Sequence, residues 1–372
     1  MTQTQKRGAA VANLLTSRSR GTERSADSEW TELNRRINLG QVIPVISNAL
    51  RYDGIFYQLI EQARAAANEA DPNGCASPVV NMAANILSQV WAGKIQYPLA
   101  DTNELPRVAQ FNRSRSRDDE QAKVDYLEFL KESLLAYAEN LGVDKGVMDE
   151  LYSRVQESSF SDLVQELEYP HFAEGKEDPL RILARLPLPI YVTTCFHDFI
   201  ERALVAENKH PVTQVCFWSG QPLNISPEHK ENKDFVPSAD TPLVYHLYGF
   251  ERYPTSLVLS EDDYLDFLVK VIQDTDVERP VIPVNLKSAL SVSSLIMLGY
   301  QLQDWDFRVL FRGIVNARQN SSRGFSFIIQ LNPDQQYEVE NVADVRKYLE
   351  TYFQPRQFNV AWGDVDQFLS RI

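Results

Sequence analysis

From residue 180 onward the chain alternates short apolar strands with amphipathic helices, and this alternation constrains its fold more than any other feature. PIYVTTC, TQVCFW, LVYHLYG, FSFIIQ and FNVAWG are rich in β-branched and aromatic residues, while HDFIERALVAE, EDDYLDFLVKVIQD, DFRVLFRGIVNARQ and VRKYLETYF carry apolar residues at helical spacing. Strands that alternate with helices predict a parallel sheet covered by helices, because each parallel crossover needs a dozen or more residues and a helix supplies them. A further strand stands far upstream. ELNRRINLG reads as a short helix ended at Gly40, and Val42–Ile46 follows as a run apolar on both faces. Such a strand belongs inside a parallel sheet.

Between these parts, residues 54–169 are helix-dominated: IFYQLIEQARAAANEA, VVNMAANILSQVWAG, VDYLEFLKESLLAYAENLG and VMDELYSRVQESSFSDLVQELE place apolar residues three and four apart. They predict a helical insertion, interrupted at NRSRSRDDEQ (112–121), which alternates charge and reads as an exposed loop. Residues 1–30 hold five basic and three acidic side chains among many Ser and Thr, and predict a disordered basic arm. The expected architecture is an α/β, Rossmann-like parallel sheet flanked by helices, built from 31–53 and 170–372, with the 54–169 insertion after its first strand.

Charge and cysteine usage narrow the function classes. With 37 Lys and Arg against 51 Asp and Glu, the net charge of −14 repels phosphate backbones, so nucleic acid is not an expected partner of the folded domain. Cys75, Cys195 and Cys216 are odd in number and form no C-x-x-C pair, which excludes a zinc ribbon and suits a reducing cytoplasm. No run of about 18 apolar residues and no signal-peptide core is found, so a cytoplasmic protein without a membrane segment is expected.

Ligands of open parallel sheets bind at the carboxyl ends of the strands, where turns meet helix N-termini. Four stretches have that placement and are predicted to line one crevice. They are Ser47-Asn48-Ala49, Thr193-Thr194-Cys195-Phe196-His197-Asp198, His246-Leu247-Tyr248-Gly249, and Gly299-Tyr300-Gln301 with the residues up to Trp305.

These stretches carry a family resemblance. YVTTCFHDFIERAL resembles the T-T-N-Y-D-x-x-I-E-x-A-L segment of bacterial SIR2-like proteins. LVYHLYGF followed by SLVLSEDDYLDFL is similar to their H-G and L-x-L-T-x-x-D-Y segments, and LIMLGYQLQDWDFRVLF to their L-F-x-G-Y-S-L-x-D-x-x-F-R stretch. The resemblance covers roughly 35–53 and 180–372. It implies a Rossmann-like fold with NAD as substrate or ligand, and a place among sirtuin-superfamily proteins that act as NAD-cleaving effectors of phage defence. It further implies a homo-oligomer or a partner protein from the same defence operon. Deacylases of the superfamily usually add a four-cysteine zinc ribbon, which three cysteines cannot build. On this basis Ser47, Asn48, Ala49, Thr193, Thr194, Gly249, Gly299, Tyr300 and Gln301 are the expected NAD-binding residues.

The chain also departs from the family pattern. Where family members place G-A-G after the first strand, this sequence has Ile46-Ser47-Asn48; the asparagine of T-T-N falls at Cys195, and the histidine of H-G at Tyr248. Tyr248, with an ordinary pKa near ~10, is a poor base at neutral pH. Cys195 reads either as a small packing group or as a reactive thiol. The remaining catalytic candidates are His246, two positions before Tyr248 and therefore expected on the same strand face, and Asp198 beside His197. Ser260 and Asp263 have capping-box spacing and predict a helix start, and Trp362-Gly363 is expected to end the last strand and pack on the C-terminal helix. Two functions follow: an NAD glycohydrolase of antiviral defence, or a catalytically degenerate SIR2-fold subunit retained for assembly.

Overall fold

A computed structural model describes residues 29–47, 50, 54–70, 82–116, 118–170, 172, 177–220, 225–229, 232, 234–273, 280–300, 305–317, 326–330, 341–363 and 365–372. Seven strands form one sheet: β1 (Val42–Ile46), β2 (Ile190–Thr193), β3 (Val212–Val215), β4 (Leu243–His246), β5 (Ser294–Leu298), β6 (Ser326–Gln330) and β7 (Phe358–Trp362). Their order is β3-β4-β2-β1-β5-β6-β7 and every pairing is parallel. Without β3, an added edge strand, this is the strand order of the doubly wound dinucleotide folds. The predicted arm, residues 1–30, lies outside the described residues as far as residue 28.

The central strand contains a proline, which its register explains. Ser294 donates its N–H to the Gln41 carbonyl and Ser47 donates to the Leu298 carbonyl, so odd-numbered residues of this segment face β5. The carbonyl of Ile46 instead accepts from Thr194, so even-numbered residues face β2. Pro44 therefore turns its missing N–H toward β2, where pairing with β1 begins only at Val45 opposite Val192. The ladder to β5 runs unbroken from Val42 to Ile46. A proline is tolerated inside a sheet where no ladder bond is asked of it.

Alternation along the strands divides the core into two layers. Val42, Ile46, Val244, Ile296 and Leu298 face one cluster, which continues into the helices Pro179–Arg185 and Phe199–Ala206 and into the insertion. Ile43, Val45, Tyr245, Leu295 and Met297 face the other, under the helices Glu261–Ile272, Val284–Val292, Trp305–Ala317 and Val342–Phe353. Each strand residue thus chooses its layer by parity, as a period of two requires.

The insertion comprises the helices Tyr57–Ala70, Met82–Lys94, Leu105–Arg115, Asp119–Asn140, Lys145–Arg154 and Phe160–Glu166. Trp91, buried against Tyr126 and Phe129 at 5.0 and 5.9 Å between ring centroids, anchors them. The break expected over 112–121 is shorter than the charge pattern suggests, because the helix Leu105–Arg115 runs through Asn112 and the next starts at Asp119. Its arginines have tertiary work that local sequence does not display. Arg107 Nε lies 3.2 Å from Glu261, and Gln110 Nε2 donates to Asp262. Arg113 reaches Ser260 and Asp263, and Lys123 Nζ sits 3.3 Å from Asp263 and 5.2 Å from the Trp218 ring. The insertion is thereby fastened to the start of the helix Glu261–Ile272, where the expected capping box of Ser260 and Asp263 is present.

One packing expectation is corrected. Trp362 ends β7 as expected, but it donates its indole N–H to Glu350 and lies under Arg346, so its ring packs on the helix Val342–Phe353, while Gly363 lies against Gln367 of the C-terminal helix Val365–Leu369. Among the described residues no helix is long and apolar enough to cross a membrane.

Candidate functional site

The chain leaves β1 toward β2 and leaves β5 toward β6, so the strand connections diverge between β1 and β5. That switch point is where open α/β sheets bind their ligands. Here the carboxyl ends of β1, β2 and β5 bring Ser47, Thr193, Thr194, Gly299 and Tyr300 together. Ser47 Oγ donates to the Gly299 carbonyl at 2.5 Å, and Thr194 Oγ1 meets the Tyr300 hydroxyl at 3.0 Å. Thr193 Oγ1 donates to the Ile46 carbonyl and accepts from the Cys195 N–H. The four side chains are buried, and each hydroxyl is satisfied by a neighbouring strand end. Gly299, at φ 77°, puts no side chain beside Ser47. Among the described residues the result is an uncharged polar floor at the switch point of the sheet. Asn48, Ala49 and Gln301, also expected here, lie outside the described residues.

The other expected crevice residues go elsewhere. His246 is fully buried at the end of β4, with Nδ1 2.8 Å from the Cys195 carbonyl and Nε2 2.7 Å from Glu201 Oε1. The Cys195 carbonyl can only accept, so Nδ1 carries a proton, and Nε2 shares a second proton with the Glu201 carboxyl. Burial by itself lowers the pKa of this ring, but the Glu201 carboxylate and these hydrogen bonds outweigh burial and hold it above the ordinary value. With both ring nitrogens hydrogen-bonded inside the core, His246 in this position is a structural group and offers no base to the crevice.

The expectation that His246 and Tyr248 share a face is overturned. β4 ends at His246 and the chain turns, so the Tyr248 ring falls in the opposite core layer, 5.1 Å from Phe267 and 5.5 Å from Tyr264. Period-two alternation holds only while the strand lasts. Gly249 also has a packing role: at φ 92° a Cβ there would lie 2.3 Å from the Ser256 carbonyl oxygen, so only glycine lets residues 256 and 257 pass.

Cys195 is buried, its Sγ 3.9 Å from the Ile46 carbonyl, and His197 stacks on Phe199 at 3.9 Å. Asp198 leaves the strand-end floor for the insertion. Its carboxylate takes Arg202 Nε at 2.5 Å, and Arg202 Nη2 also holds Asp162 at 2.7 Å. Beside this cluster Glu251 is half-buried and accepts from the N–H groups of Phe160 and Ser161 and from the Ser161 hydroxyl. Burial, with the nearby Asp198 charge adding to it, pushes the Glu251 carboxyl up to about 7.

Two important residues were not among the sequence candidates. Glu201, in the helix Phe199–Ala206, binds His246 and takes the Thr213 hydroxyl at 2.9 Å. Its signal was a carboxylate between Ile200 and Ala203 on the apolar side of an amphipathic helix. Glu251 follows Phe250 in a loop, and no local pattern marks it.

Residues 189–353 match the SIR2-like domain family. The chain is also similar to the NAD(+) hydrolase ThsA of Bacillus cereus (strain MSX-D12), with 26% identity over 160 residues, 43% of this chain. The similar stretch spans 29% of that relative's length. The family match runs from the strand β2 to the helix Val342–Phe353, and so takes in the sheet edge where Thr193, Thr194, Gly299 and Tyr300 meet. Residues 189–353 are thus similar to the SIR2-like domain, within a Rossmann-like parallel sheet that has a set of helices inserted after its first strand.

Proposed function

We propose that this protein takes NAD at the switch point between β1 and β5 and serves as an NAD-consuming component of a bacterial antiviral defence system. The observation that carries the reading is the polar floor of Ser47, Thr193, Thr194 and Tyr300 at the diverging strand ends of a SIR2-like domain. The similarity to an NAD(+) hydrolase supports it. Cleavage of the nicotinamide–ribose bond releases a neutral pyridine from a pyridinium, so the leaving group needs no proton. What the reaction asks of the chain is to hold the ribose, exclude bulk solvent and admit one water, which are positioning tasks. Cys195 and Tyr248 in place of asparagine and histidine bear on that positioning.

A second reading, a non-catalytic SIR2-fold subunit that assembles with copies of itself or with another protein of the defence system, is favoured by one observation. His246, the imidazole expected in the crevice, has both nitrogens hydrogen-bonded inside the core. The test is nicotinamide release from NAD by the purified full chain, followed by chromatography, alongside the melting temperature with and without NAD. Release that Thr194→Val reduces is expected for the first reading. No release and no NAD-induced stabilisation overturn it in favour of the second.

A further inference from the structure

Away from the strand-end floor, the insertion helix Phe160–Glu166 and the helices Pro179–Arg185 and Phe199–Ala206 enclose a groove of about 920 Å3. Its walls are apolar, formed by Val164, Tyr169, Phe172, Phe199 and Val205, and Val205 is 60% exposed. Its polar lining is lopsided. Among the described residues Glu168, Glu177, Asp178, Asp198 and Glu201 face two guanidinium groups, both engaged inside the fold, Arg181 with Glu207 and Arg202 with Asp162 and Asp198, while Glu177 also holds Arg185 and Glu201 holds His246. Glu201 Oε2 is buried and has no hydrogen-bond partner among the described residues, although Oε1 of the same carboxylate holds two. An apolar trough rimmed by the exposed carboxylates of Glu168 and Glu177 and the half-buried Asp178 suits a polypeptide segment that joins aliphatic side chains to positive charge.

The chain has such a segment. Between Lys6 and Arg20 the sequence KRGAAVANLLTSRSR carries Lys6, Arg7, Arg18 and Arg20, no acidic residue, and the apolar side chains of Val11, Leu14 and Leu15. It also joins the fold beside the groove. Trp30 stacks on Phe327 and packs 5.0 Å from Phe368, and the helix Val365–Leu369 that bears Phe368 lies against the helix Pro179–Arg185, one wall of the groove. The stretch from Arg20 to Glu29 can reach up to about 30 Å, enough to bring the basic segment to that wall.

We propose that the groove between the insertion and the helix Phe199–Ala206 is a docking site for the basic segment Lys6–Arg20 of the same chain. Seated there, the segment would place its arginines among Glu168, Glu177 and Asp178 and its leucines against Val164, Phe172 and Val205, clamping the insertion onto the sheet domain from outside.

The test places a photo-reactive phenylalanine analogue at position 14, or separately at position 11, in the full chain, with cross-links mapped by mass spectrometry. The expected result is cross-linking at monomer mass to peptides from 160–185 and 199–206. A several-fold loss is expected when Arg18→Glu and Arg20→Glu are combined, and again with Glu168→Lys in the otherwise native chain. Cross-links to other parts of the surface, cross-links found only between copies, or yields indifferent to both charge reversals would overturn the proposal. Both photo-probe positions lie outside the sheet and the insertion, and unchanged melting of the labelled chains checks that the fold is intact.

Discussion

On either side of β1 the molecule satisfies buried polarity by opposite means. Toward β5, the hydroxyls of Ser47, Thr194 and Tyr300 bond to backbone and to one another, and among the described residues no formal charge is buried there. Toward β4, the buried ring of His246 is locked to Glu201, and Glu251 and Asp198 crowd the edge of the insertion. The neutral side forms a floor that does not change with pH. The charged side is a fastening whose strength depends on protonation, and it holds β4, the helix Phe199–Ala206 and the insertion together.

The largest expected effect breaks the fastening. His246→Ala strands the Glu201 carboxylate in the core, and removing one partner of a buried ion pair costs about 3–5 kcal/mol, to be read from urea unfolding. Replacing both partners, with His246→Leu and Glu201→Met, should restore much of that stability, because no charge is then left buried. A double variant as unstable as the single one would show that lost packing dominates over lost charge.

The next effect is a dependence on pH. Glu251 is held near 7 in the folded chain against an ordinary 4.5, so the fold binds a proton that the unfolded chain has already released. Stability should therefore be fully present below about 4.5 and decline as pH rises to about 7. The raised pKa of His246 has the same sign, its contribution fading as pH climbs above the ordinary 6.5 through the folded value. Melting temperature across pH 5 to 8 reads the sum, and Glu251→Gln should flatten the lower part of the profile while leaving the part due to His246.

The smallest effect belongs to the neutral side. Tyr300→Phe removes one hydroxyl from the floor while Thr194 keeps the Ile46 carbonyl within 3.4 Å, so a loss of about 1 kcal/mol is expected, the same at pH 5 and pH 8. A loss that varied with pH across that range would mean that charge reaches the floor after all.

The sheet was legible in the sequence because strands and helices announce themselves by local period. Val42–Ile46 is predicted and found without shift, and the capping box at Ser260 forms as its spacing suggests. The site was legible only in part. Ser47, Thr193, Thr194, Gly299 and Tyr300 do converge, because strand ends of a parallel sheet must. The placement of His246 depended on Glu201, 45 residues away in the chain, and the Thr194–Tyr300 contact spans 106 residues. Such pairs leave no periodic trace, since each member is chosen by what the fold brings beside it. The helix Leu105–Arg115 was missed in the same way: its charges look like a solvated loop until Glu261, Asp262 and Asp263 are set opposite.

The position of the inserted helices has a consequence for how the protein is made. β1 is the first strand to leave the ribosome, yet Ile46 bonds to Thr193, 147 residues later, and Ser47 to Gly299, 252 residues later. At a synthesis rate of about 5–20 residues per second, the strand would wait roughly 7–30 s for its first neighbour and longer for its second. Meanwhile the insertion can gather around Trp91, Tyr126 and Phe129. The middle of the sheet is thus the oldest strand and the one that waits longest to be enclosed, and five consecutive apolar residues stand open to chaperones, or to another nascent chain, until β5 arrives.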